Sequence, residues 1–110
     1  MWTNPSDLGR FVIAVARASR GEKGAILSPD LAKQMLTKQP GGWGLGIEVA
    51  GAGSDLRFSH NGVNDGFLTQ MIGYVQRGSG VVVMVNSSDD GGSALLNEIC
   101  ADAAVELDWK

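Results

Sequence analysis

The sequence predicts an α+β domain: an antiparallel sheet of about four strands, with two N-terminal helices and a C-terminal helix packed on the sheet. Three observations carry this. Apolar residues recur at helical spacing near both ends of the chain. Between those stretches the period drops to two, and glycine-rich turns separate the alternating runs. The order is helix, helix, strands, helix, which lays helices against an antiparallel sheet rather than between parallel strands.

The first helix opens at Asn4-Pro5-Ser6-Asp7. Asn4 can cap, Pro5 suits the first helical position, and Asp7 puts negative charge beside the free N–H groups. Leu8, Phe11, Val12 and Val15 follow at helical spacing, and Ser19-Arg20-Gly21 is the stop. Ser28-Pro29-Asp30 repeats the start signal for a shorter helix through Leu31, Met35 and Leu36, with Pro40-Gly41-Gly42 behind it. Trp43, Leu45, Ile47 and Val49 then alternate with Gly44, Gly46 and Glu48, the pattern of a strand with one large apolar face. Leu56, Phe58 and His60 alternate in the same way. Phe67 to Gln76 and Val81 to Asn86 read as two further strands, joined by the hairpin signal Arg77-Gly78-Ser79-Gly80. Val81 to Val85 is apolar at every position and is expected to be a central strand covered on both faces. After the loop Ser88-Asp89-Asp90-Gly91-Gly92, residues Leu95, Leu96, Ile99, Cys100, Ala103 and Leu107 mark the buried side of the last helix.

Residues 1–110 form a single domain, with no internal repeat and no linker long enough to split it. Hydrophobic content of 44% against 19% charged excludes a disordered chain. The net charge of −3 is spread along the sequence without a basic stripe, so no nucleic acid and no anionic membrane is expected as a partner. Val81–Val85 is too short to span a bilayer. No signal peptide opens the chain, so the protein as written is expected to be soluble and cytoplasmic, or periplasmic or secreted if a leader precedes it. Cys100 is the single cysteine, and one histidine with one cysteine is too few soft ligands for a structural zinc site. No metal or cofactor is expected. Asn64-Asp65-Gly66 reads as a turn, Asp89-Asp90 as solvated loop charge, and Trp43 as core packing.

The stretch richest in chemistry is Phe58-Ser59-His60-Asn61-Gly62-Val63-Asn64-Asp65-Gly66-Phe67. With Gly42-Trp43-Gly44-Leu45-Gly46, the opening Trp2 to Phe11, and the apolar strand, Gly-rich loop and amphipathic helix at the end, it resembles the C-terminal portion of the serine β-lactamase and penicillin-binding-protein superfamily, in its esterase- and D-peptidase-like branch. His60-Asn61-Gly62 is similar to the third active-site motif of that family. The resemblance implies a substrate-lining strand of His60, Asn61, Gly62 and Val63. The Val63 N–H would be one of two oxyanion-hole donors, each contributing about 3–4 kcal/mol when preorganised.

Equally telling are the residues that the family's chemistry requires and this chain lacks. No serine has a lysine three positions on, and Tyr74, the only tyrosine, is followed by Val75 and Gln76, so neither Ser-x-x-Lys nor Tyr-x-Asn is present. Ser59 and His60 are neighbours on a strand and point to opposite faces, so they form no nucleophile–base pair. The resemblance therefore implies a partial serine hydrolase without its nucleophile segment, inactive alone and lacking a complete catalytic set. The alternative is a free-standing, non-catalytic oligomeric or ligand-binding module derived from that fold. The expected partner is a second copy in a homo-oligomer, or an N-terminal hydrolase segment. Apolar sheet surface left in water forgoes about 2.5 kcal/mol per ~100 Å², which drives either pairing.

Overall fold

In the computed structural model, which describes residues 2–109, the α+β class and the order of elements are as the sequence predicts. Helix α1 spans Pro5–Ser19. The Asn4 side chain accepts from the Asp7 N–H at 2.9 Å, and its amide donates back to the Asp7 carboxylate at 2.9 Å. The first bond satisfies one of the orphaned backbone N–H groups at the helix start, and the second ties the two side chains together. Helix α2 spans Pro29–Met35 and is capped by the Ser28 hydroxyl, which accepts from the Leu31 N–H at 3.2 Å.

Strands β1 (Glu48–Ala50), β2 (Arg57–Asn64), β3 (Phe67–Tyr74) and β4 (Ser79–Val85) form one antiparallel sheet in sequence order. A 3₁₀ turn, Gly53–Asp55, links β1 to β2. Helix α3 (Asp90–Glu106) closes the chain. The register pairs Phe58 with Gly73, His60 with Met71 and Gly62 with Thr69, and Met71 in turn with Val82. Since paired residues share a face, Phe58, His60, Gly62, Met71 and Val82 lie on one side of the sheet.

Helix α1 packs on that side. Its Val12 and Val15 join Phe58, Met71 and Val75 in a buried core, which Leu36, Ile47 and Val49 complete. Gly73 makes this packing possible. A Cβ there would lie 2.7 Å from both the Phe58 ring and Val12, so the aromatic ring fills the space a side chain would need. Helix α3 lies on the opposite face, against β3 and β4. There Tyr74 stacks on Trp109 with ring centroids 4.7 Å apart, and the Trp109 indole N–H donates to Ser79 Oγ at 2.9 Å.

Four expectations are corrected. The alternating run from Trp43 to Val49 is a chain reversal, not one strand: Trp43 bridges back to Glu48, and only Glu48–Ala50 joins the sheet. Glycine is the reason. A Cβ at Gly44 would stand 2.0 Å from the Met35 carbonyl oxygen, and Gly46 turns the chain at φ 74°. Strand β4 is terminal rather than central. Its continuous apolar character reflects a helix on each face, α1 on one and α3 on the other, and not a strand on each side. Asp89 is exposed, as expected of a solvated charge, but it is the N-cap of α3, accepting from the Gly92 N–H at 2.8 Å, and so belongs to the helix start and not to the loop. Helix α3 also buries a narrower stripe than its sequence suggests, since Leu95 and Ile99 remain 49% and 39% exposed.

Candidate functional site

Helix α1 is shorter than the sheet face it covers. Past Phe58 on β2, and over the first half of β3, that face stays open and forms a cleft of about 540 Å³. Trp2 and Leu8 border it from the N-terminal side, Gly62, Phe67 and Thr69 from the β2–β3 hairpin, and Met84 from β4. His60 stands on the same face, one alternation before Gly62, and is exposed. The edge of the Trp43 ring closes on it, with centroids 5.7 Å apart and planes at 77°. Trp43 is thus a wall of the open face and 44% exposed, which corrects its reading as a core residue.

The four residues singled out in the sequence do not share one surface. Strand alternation places the side chains of His60 and Gly62 on the α1 face and those of Asn61 and Val63 on the other. Val63 borders the cleft, yet 74% of it is exposed. Gly62 leaves room beside Thr69, whose hydroxyl donates to the Gly62 carbonyl at 3.5 Å. A Cβ at Gly62 would lie 2.5 Å from that hydroxyl oxygen. Strand β1 pairs only with Arg57–Ser59, so among the described residues no strand lies beside the outer edge of β2 from His60 to Asn64. Its backbone groups on that side are free to bond a ligand.

The Ser59 hydroxyl donates to the Glu48 carboxylate at 3.3 Å, on the face away from His60, so the two form no Ser–His pair. Burial pushes the Cys100 thiol up from its ordinary value, which keeps it protonated and unactivated. Among the described residues no group of His, Cys, Asp or Glu is arranged to hold a metal ion, and no helix is long and apolar enough to cross a membrane. The hairpin that carries the site is tied down from behind. Asp65-Gly66 turns the chain as expected, and the Gly66 N–H donates to Ser88 Oγ at 3.0 Å, joining the β2–β3 turn to the loop before α3. On that loop the Asp89 carboxylate accepts from the Ser87 hydroxyl at 2.6 Å and from the Gly92 N–H, and these bonds hold it below the usual carboxylate range.

Sequence reasoning found the strand but not its surroundings. Phe67 closes the stretch that the sequence marks, but Met84 is distant in sequence and reaches Thr69 and Gly62 only through the sheet register, and Trp43, read from sequence as core packing, reaches His60 through the Trp43–Glu48 reversal.

Fold and site together define an α+β unit with an open, part-aromatic cleft on the helix-covered face of a four-stranded sheet. No protein-family model matches the chain, and no curated protein matches it in sequence. Among solved structures it is similar to one titled "Crystal structure of SurE", with a TM-score of 0.73 and 21% sequence identity. The match covers 94% of this chain and 25% of that one, so the chain spans about a quarter of the neighbour's length. This likeness shows the fold alone. It overturns the assignment made from the motifs: the structural neighbour is SurE, and no comparison supports a β-lactamase or penicillin-binding-protein fragment. The partial serine hydrolase, and the module derived from that hydrolase fold, do not stand as descriptions of this protein. Short glycine-rich motifs are the physical reason for the error. The glycines of Gly42-Trp43-Gly44-Leu45-Gly46 serve a tight reversal, and Gly62 sits in β2 where a Cβ would meet Thr69, so local packing accounts for both motifs and they carry little family information.

Proposed function

We propose that this protein is a binding module in which the open half of the α1 face holds a small, amphipathic, peptide-like ligand along the His60–Val63 strand, and that it works as a homo-oligomer. The observation that carries the reading is the coincidence of two features. Among the described residues the outer edge of β2 from His60 to Asn64 lacks a strand neighbour, and the face beside it carries the exposed apolar groups of Trp43 and Phe67. An extended ligand can donate to and accept from the free strand edge while its apolar group rests on the rings. In this reading His60 offers a ring nitrogen to a polar end of the ligand, and Gly62 keeps the approach open. Asn61 and Val63 contribute through their backbone. The homo-oligomer is supported by apolar surface left outside the core, Ile13 at 57% and Val105 at 79% exposure among it.

An amide-resolved NMR titration with an N-acetylated apolar dipeptide amide tests the ligand reading. Shifts confined to His60–Asn64 and the Trp43 indole, lost in Gly62→Val, are expected. Saturating probe that leaves those signals unmoved, while the protein is folded, removes the proposal.

A further inference from the structure

Strand β4 is terminal, and among the described residues no strand lies beside its outer backbone edge from Ser79 to Val85. Soluble proteins normally blunt such an edge with a charge, a proline or a bulge. Ser-Gly-Val-Val-Val-Met-Val contains no charge and no proline, and it pairs with β3 in unbroken register from Ser79 to Val85. A groove of about 570 Å³ follows this edge between β4 and α1. Gly9, Ile13 and Ala16 of α1, Val81 of β4 and Leu107 line it, and Ile13 is 57% exposed there. Small residues on α1 let another element approach closely.

We infer that the β4 edge and this groove form a two-fold interface with a second copy of the chain, β4 pairing antiparallel with its counterpart about Val82 to make one continuous eight-stranded sheet. The inference rests on the homo-oligomer of the proposed function and names its surface. A second copy fits because the edge is self-complementary. Pairing about Val82 sets Val81 opposite the partner's Val83 and Gly80 opposite the partner's Met84, so apolar or small residues meet throughout. No like charges are brought together along the strand. Among the described residues Arg20 is the one charged residue lining the groove, and it lies at the Gly78 end, bonded to Glu22 at 2.7 Å and to the Val75 carbonyl at 2.9 Å. A two-fold axis at Val82 sends the two copies of Arg20 to opposite ends. Helix α1 runs with Arg20 near Gly78 and Leu8 near Met84, so the two α1 helices would lie antiparallel with opposed dipoles.

Sedimentation velocity on the full chain over a micromolar concentration series tests this, alongside two variants. Ile13→Lys changes an exposed helix position and leaves the core intact, so circular dichroism should be unchanged. Two facing cations are expected to weaken dimerisation by about tenfold or more. Val82→Cys, in a Cys100→Ser background, is expected to form an intermolecular disulfide on mild oxidation, because directly opposed residues of an antiparallel pair have Cα atoms about 4.5–5.5 Å apart. A dimer indifferent to Ile13→Lys, or one that Val82→Cys fails to cross-link, overturns the β4 interface and leaves self-association through another face. A monomer at every concentration overturns both this interface and the homo-oligomer, without touching the ligand cleft.

Discussion

Trp43 and His60 meet edge to face, with ring centroids 5.7 Å apart and planes at 77°, although one sits on a glycine-rich reversal and the other on a strand. The contact joins the Trp43–Glu48 reversal to the open sheet face. The reversal is also held by backbone bonds, Leu45 N–H to the Met35 carbonyl at 3.0 Å and Val49 N–H to the Gly42 carbonyl at 2.9 Å, so the ring contact adds to an anchored loop. A double-mutant cycle of Trp43→Ala and His60→Ala in urea should give a coupling of about 0.5–1.5 kcal/mol, the usual worth of an aromatic pair. Strict additivity would show that the two rings touch without holding each other.

The core tolerates no side chain at position 73. Gly73→Ala places a methyl 2.7 Å from the Phe58 ring and from Val12, both in the buried cluster. Overpacking of this kind costs about 1–3 kcal/mol. A matching fall in the urea midpoint at unchanged slope is expected. A stability equal to the parent would mean that Phe58 has another rotamer open to it.

Acid should loosen the start of α3 through Asp89. Hydrogen bonds from the Ser87 hydroxyl and then the Gly92 N–H hold the folded carboxylate below its ordinary value of 3.8. A depressed folded pKa contributes stability that is present above the unfolded value and is lost as pH falls through the folded one. Asp89→Ala should therefore lower Tm at neutral pH and make little difference in strong acid. If parent and variant melt in parallel across that range, the cap is not charge-assisted.

The end of α3 is held by Trp109 together with Arg77, whose guanidinium donates to the Asp108 carbonyl at 2.7 Å. Trp109 stacks on Tyr74 at 4.7 Å and bonds Ser79 at 2.9 Å. Trp109→Phe keeps the stacking and loses only the indole bond, so it should cost about 0.5–1.5 kcal/mol. Trp109→Ala removes both and should cost more, with faster hydrogen exchange in the last turn of α3. Equal losses in the two variants would assign the whole effect to the bond.

Local chemistry sufficed for much of this molecule. Asn4-Pro5 and Ser28-Pro29 marked the helix starts because capping and the proline ring act within a few residues, period-two alternation marked β2, and the two runs flanking the Arg77–Gly80 hairpin signal marked β3 and β4. The same local reading failed wherever two distant segments had to meet. Trp43 to Val49 alternates like a strand, but the Met35 carbonyl over Gly44 and the turn at Gly46 fold it back. Val81–Val85 has the composition of a central strand, yet strand order decides which edge is paired, and two helices flanking a terminal strand produce the same apolar pattern. His60 and Gly62 were visible as a polar step in an apolar chain. The cleft beside Gly62 was not, because Met84 reaches Thr69 and Gly62 only through sheet register, Leu8 closes over them only through the packing of α1, and Trp43 reaches His60 only through a chain reversal, all long-range relations absent from any short window of sequence.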